Sequence, residues 1–124
     1  MFLRKKGLLK SNLVVVKPQI GNFLFWRENN YIGDSIVYLG DYETKEKRIF
    51  SAVIKPGNSV LDIGANTGLH SMYFSELVGE QGMVYAFEPV LHNFQKLQKN
   101  IELNVVRNVR ASLIGLSNRN ETKG

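Results

Sequence analysis

The chain has 124 residues, 44% hydrophobic and 22% charged, with a formal net charge of +5, which is the make-up of one small globular domain rather than of a disordered segment. Cysteine is absent and only two histidines occur, so these residues hold no disulfide, thiolate metal site, cysteine nucleophile or multi-histidine centre. No apolar run approaches the ~20 residues that cross a bilayer. The opening MFLRKKGLLKSN lacks the apolar core of a secretory signal, so a cytoplasmic location without a membrane partner is expected. The basic residues are scattered from Arg4, Lys5 and Lys6 to Arg119 and Lys123, which reads as solvated faces and makes nucleic acid an unexpected partner.

Residues 13–16 are β-branched and apolar, and 23–26 are apolar and aromatic, with Pro18, Gly21 and Asn22 between them. That pattern predicts a hairpin or two short strands. A third extended piece is predicted at 35–39, after a Gly33-Asp34 turn, completing a small β apron. Asp41 is placed to cap a helix with Tyr42, Ile49, Phe50, Val53 and Ile54 on one face, running to Lys55, where Pro56-Gly57 ends it.

Residues 60–63 read as a buried strand that carries Asp62 into the turn Gly64-Ala65-Asn66-Thr67-Gly68, from which a helix starts. Leu69, Met72, Tyr73 and Leu77 mark that helix's apolar face, and it ends near Gly79. A second strand at 83–87 also ends on an acid, Glu88, and Pro89 suits the first turn of the next helix. That helix is expected to bury Leu91, Phe94, Leu97 and Ile101. Residues 109–116 read as a third strand. Strands alternating with helices of this length predict an α/β fold with a parallel sheet and both helices on one face. The division expected is an apron and leading helix over 1–54, followed by an α/β unit over 55–124.

The glycine turn lets a ligand approach backbone, because Gly64 and Gly68 lack Cβ and Asn66 tolerates the left-handed region. Free N–H groups at the start of the following helix favour polar or anionic atoms there. Glu88 lies 20 residues beyond Gly68, the spacing at which an acid takes ribose hydroxyls in dinucleotide folds. Yet Asn66 and Leu69 stand where a dinucleotide fingerprint needs glycine, and Leu69 stands where a Walker loop needs lysine. A nucleoside ligand without pyrophosphate is what remains. Two plainer roles stay open: Asp62 capping its own turn, and Glu88 as an anion at a helix start. His70 and His92 read as solvated helix residues, with no partner for either legible in the sequence.

VLDIGANTG at 60–68 followed by YAFEP at 85–89, with GDYE at 40–43 and NIELN at 100–104, resembles the FkbM-type family of S-adenosylmethionine-dependent methyltransferases. The resemblance implies a partial Rossmann-like class I methyltransferase sheet, three parallel strands with helices, preceded by a small β/helical region. It implies S-adenosyl-L-methionine as cofactor. Asp62, Gly64, Ala65, Asn66, Thr67 and Gly68 would cradle its methionine part, Glu88 would bind its ribose, Pro89 would shape the adenine side, and Glu43 would reach the methionyl amino group. It implies O-methylation of a sugar or other small metabolite or glycan; no catalytic base is named and no metal is expected.

Members of that family run to about twice this length, so the chain is expected to be the cofactor half, a fragment or a split product, doubtful as an enzyme alone. The 60–63 strand would then be a sheet edge open to a complementary fragment or to self-association. Two other readings stay open: a non-catalytic nucleotide- or partner-binding module, and a nucleic-acid methyltransferase motivated by the positive charge.

Overall fold

A computed structural model describes residues 13–18, 21–28 and 41–120. The β-branched run forms β1 (Leu13–Val16), which pairs antiparallel with β2 (Phe25–Glu28), placing Leu13 opposite Glu28 and Val16 opposite Phe25. The second strand starts two residues later than its aromatic run predicts. The cause is Leu24, whose N–H and C=O are both taken by the side-chain amide of Asn104, at 2.8 Å each. The strand predicted at 35–39 and the turn before it lie outside the described residues.

Helix α1 spans Asp41–Val53. It stops short of Lys55 because the Asn58 carboxamide oxygen captures the Lys55 N–H at 2.9 Å. Of its expected apolar face, Phe50 and Ile54 pack on the core, whereas Ile49 and Val53 are 61% and 70% exposed. The reason is that the helix engages the core at the edge bearing Phe50, whose ring meets Phe74 edge-on at 4.8 Å between centroids.

The remaining elements are β3 (Ser59–Ile63), α2 (Leu69–Val78), β4 (Met83–Phe87), α3 (Leu91–Leu103) and β5 (Val109–Ser112). The three strands form one parallel sheet in the order β3-β4-β5, as predicted, with Val60 beside Val84 and Val84 beside Val109. Side chains alternate across a sheet. Val84, Ala86 and Val109 therefore share the face covered by Met72, Tyr73, Phe74 and Val78 of α2 and Leu97 of α3. On the other face Leu61 and Ile63 are each 61% exposed, and β3 is an edge strand among the described residues.

Three expectations are corrected here. Leu91 is exposed, because α3 begins beyond the end of β4 and its first turn overhangs the sheet; Phe94 and Leu97 are the residues that reach the core. Pro89 precedes the helix instead of entering it, since Val90 is the residue at the N-cap. The third strand ends at Ser112, not Leu116, where the Ile114 N–H folds back onto the Ser112 carbonyl at 3.0 Å and β4 has no further residues to pair. No helix among the described residues is long and apolar enough to cross a membrane.

Candidate functional site

The site grows from the end of β3. Gly64, Asn66 and Gly68 all take positive φ, of 75°, 54° and 96°. That sequence of left-handed residues reverses the chain in one tight turn. The turn hangs from the neighbouring strand, with the N–H groups of Gly64 and Ala65 both donating to the Phe87 carbonyl at 2.9 Å.

Its five residues do not face the same way. Ala65 and Gly68 are buried, and Gly68 packs so closely on α3 that a Cβ there would lie 2.5 Å from Leu97 Cδ1. Gly64 is exposed, and a Cβ added to it would meet nothing within 4 Å. Gly64 and Asn66 therefore form the outer lip, while Ala65 and Gly68 form the floor. The Thr67 carbonyl accepts a hydrogen bond from Asn100 Nδ2 at 2.8 Å.

Asp62 lies half-buried beneath this lip on the helix-covered face, and its Oδ2 accepts from Ser71 Oγ at 2.5 Å. Burial raises its pKa above the ordinary aspartate value, against the opposing pull of the Ser71 hydrogen bond and of His70, while the nearby Glu88 adds to the rise. Asp62 is thus a partly desolvated acid, whose ionised form a cationic neighbour would favour.

Glu88 is buried, with 4% of its surface exposed. One carboxylate oxygen accepts from the Asn66 N–H at 2.6 Å and the other from the Val90 N–H at 2.9 Å. It ties the glycine turn to the start of α3, so the plainer role of a helix-start anion is real. A carboxylate has about four acceptor positions, which leaves capacity for two further donors. Beside it, Pro89 and the segment from Leu113 to Ser117, with Arg119, line a cleft of about 350 Å³.

Glu43 lies in the first turn of α1. Glu46 ties that helix to the first turn of α2, its Oε2 accepting from His70 Nε2 at 2.6 Å. The ring of His70 is stacked on Phe74 and edge-on to Phe50. The expectation of a solvated His70 is therefore corrected: a partner 24 residues upstream holds it. The sequence reading also missed Ser71 and Asn100, which touch the site through Asp62 and Thr67. NIELN marks Asn100 in the sequence but gives it no role.

Residues 47–115 match the family model described as protein-L-isoaspartate(D-aspartate) O-methyltransferase. Among curated proteins, the protein-L-isoaspartate O-methyltransferase of Fervidobacterium nodosum is 38% identical over 56 residues, 45% of this chain and 28% of that relative. The matched segment is thus under a third of the relative's length. Among solved structures, a SAM dependent methyltransferase from Aquifex aeolicus superposes with a TM-score of 0.52 at 28% identity, covering 67% of this chain and 42% of that one. M. jannaschii TYW2 in complex with AdoMet gives a TM-score of 0.61 at 24% identity over 85% of this chain and 44% of that one.

The fold is that of the class I methyltransferases, and one of these neighbours, TYW2, holds S-adenosylmethionine. Of the resemblance read from the sequence, the methyltransferase superfamily is what these matches support. The geometry fits such a group: open space before Gly64, a desolvated carboxylate beneath it to face a cation, and a second carboxylate with unused acceptor positions beside a cleft.

Proposed function

Because the chain belongs to the protein-L-isoaspartate(D-aspartate) O-methyltransferase family, we propose that it carries the S-adenosylmethionine-binding part of an O-methyltransferase whose acceptor is an isoaspartyl carboxylate in a protein or peptide. The family match over residues 47–115 is the observation that carries this reading. It favours a protein acceptor over the sugar or small metabolite that the FkbM-type resemblance implies.

In this reading, residues 55–124 bind the cofactor, and the ribbon with α1 forms a leading region over 1–54. Asp62 faces the positively charged methionyl portion, and the lip at Gly64 and Asn66 presses on it through backbone. Glu88 takes the ribose hydroxyls with the acceptor positions its own turn leaves unused, and Pro89 borders the adenine side. Glu43 is assigned to the methionyl amino group through the GDYE element.

When bound, the cofactor supplies an electrophilic methyl group on a sulfonium. The protein's share is to hold that group in line with an acceptor and to keep water away. An isoaspartyl carboxylate with an ordinary pKa near ~4 is already an anion at neutral pH, so its oxygen attacks without surrendering a proton and the reaction needs no general base. This agrees with a site whose histidine, His70, is engaged by Glu46.

The test is calorimetric titration of the chain with S-adenosylmethionine, followed by transfer of labelled methyl to an isoaspartyl peptide and to its aspartyl counterpart. Binding that Asp62→Asn weakens, with base-labile label on the isoaspartyl peptide alone, is expected. Label on a sugar acceptor, or equal labelling of both peptides, overturns the acceptor assignment.

A second reading, a module that binds a partner chain, is favoured by the edge position of β3 among the described residues and the exposure of Leu61 and Ile63. A stable dimer in light scattering, formed without cofactor and unable to bind it, would select this reading over the first.

A further inference from the structure

Asn100 is fully buried, and both ends of its carboxamide are used by segments far apart in sequence. Its Oδ1 accepts from the Trp26 N–H at 2.7 Å, and its Nδ2 donates to the Thr67 carbonyl at 2.8 Å. One turn further along α3, Asn104 Oδ1 accepts from the Leu24 N–H and its Nδ2 donates to the Leu24 carbonyl, each at 2.8 Å.

The match is geometric. Residues four apart on a helix are about 6 Å apart along its axis, and residues two apart on a strand are separated by about 6.5–7 Å. Two asparagines at i and i+4 therefore meet the outward N–H groups of Leu24 and Trp26 in register. The helix stands in for a neighbouring strand along the ribbon's outer edge, which no strand among the described residues covers.

Asn104 serves the ribbon, its Nδ2 also donating to the Asn100 carbonyl at 2.8 Å and reaching Met72 Sδ at 3.9 Å, whereas Asn100 reaches across to the floor of the glycine turn. A planar amide cannot turn toward one partner without leaving the other, and a buried amide that loses a partner leaves unpaired groups on both sides. We propose that Asn100 makes the seating of the β1–β2 ribbon and the shape of the glycine turn one coupled state. Ligand at the turn and ribbon on α3 then favour one another, to the same degree in both directions. For the ligand half this rests on the cofactor reading given above; Asn100 is a positioning residue and touches no cofactor itself.

The test is amide hydrogen exchange on the full chain, free and with S-adenosylhomocysteine as probe. In the free chain Asn104→Ala, which loosens the ribbon at Leu24 and makes no contact with the turn, should speed exchange at Trp26 and also, at least threefold, at Ala65 and Gly68. Turn exchange that stays at the wild-type rate while the ribbon loosens overturns the proposal.

With the probe, Leu24 and Trp26 should become protected, and Asn104→Ala should raise the dissociation constant three- to tenfold. Asn100→Asp keeps the acceptor for Trp26 and loses the donor to Thr67. In that background the added Asn104→Ala should change the dissociation constant less than twofold. Independent effects of the two substitutions would sink the coupling. If Asn100→Asp does not fold, the Asn104→Ala comparison decides. If the wild-type chain does not bind the probe, the cofactor reading fails, and the free-chain exchange still decides whether the coupling exists.

Discussion

Ser71 donates its hydroxyl to Asp62 at 2.5 Å, so the first turn of α2 reaches back to the carboxylate at the end of β3 while burial holds that carboxyl above its ordinary pKa. The two effects oppose one another, and burial is the larger. Ionising Asp62 is therefore less favourable in the folded chain than in water.

The sign of the pH dependence follows. A carboxyl with a raised native pKa binds its proton more tightly folded than unfolded, so its contribution to stability falls as pH rises from the unfolded value, near 3.8, through the raised native one. A cationic ligand prefers the ionised form and should release a proton on binding. Affinity for S-adenosylmethionine should therefore weaken as pH falls through the Asp62 pKa. Asp62→Asn should abolish that dependence, weaken binding at pH 7, and leave the free protein as stable as wild type or more so. Calorimetry at several pH values and thermal melts check this, and a destabilised Asp62→Asn variant with unchanged affinity would refute it.

Glu88 has two tasks that substitutions can separate. Glu88→Ala leaves the part-buried N–H groups of Asn66 and Val90 without their acceptors, at up to about 1–3 kcal/mol, the range for a fully buried donor left unpaired. Glu88→Gln retains one strong acceptor and should cost distinctly less. Both should weaken cofactor binding if ribose hydroxyls use the remaining acceptor positions. Urea denaturation orders the two variants, and calorimetry on the glutamine variant isolates the binding role. Wild-type affinity in Glu88→Gln would leave this residue with its structural task alone.

The glycines of the turn should separate in the same way. Gly64→Ala and Gly68→Ala each force a left-handed conformation on a residue with Cβ, at roughly 1–2 kcal/mol. Only at Gly68 does the new methyl also strike Leu97. Gly68→Ala should therefore be the more destabilising in urea, and Gly64→Ala, whose methyl enters open space, should lose more cofactor affinity relative to its stability loss. Equal stability losses would contradict the close approach of the turn to α3.

What could be read in advance was local. Asp62, the glycine turn and Glu88 are legible because an acid at a strand end and glycines at a reversal follow from backbone requirements within a few residues. Asn100 and Asn104 are two polar residues on an amphipathic helix until their partners, Trp26 and Leu24, are placed; those lie 74 and 80 residues upstream. The same holds for His70, whose partner Glu46 sits on a different helix. Periodicity marked Ile49, Val53 and Leu91 as apolar positions correctly, but it does not say whether a neighbour covers them, and none of the three is covered among the described residues.

The end of α3 offers a prediction independent of any ligand. The Val106 N–H donates to the Ile101 carbonyl at 3.2 Å and the Val105 N–H to the Glu102 carbonyl at 3.1 Å, the paired bonds of a helix closed by a left-handed residue, a place that glycine usually fills. Here Val105 fills it with φ of 52°. A β-branched residue in that region carries strain of about 1–3 kcal/mol, and Val105, 75% exposed, has little packing to compensate. Val105→Gly relieves the strain but adds about 0.5–1 kcal/mol of unfolded-chain entropy. The net expectation is a gain of about 1 kcal/mol, seen as a higher urea midpoint with unchanged slope. Val105→Asn tolerates the same conformation without the glycine entropy and should gain as well, whereas Val105→Ala should gain less than either. A lower midpoint for both Val105→Gly and Val105→Asn would mean that the valine side chain contributes more here than its backbone strain removes.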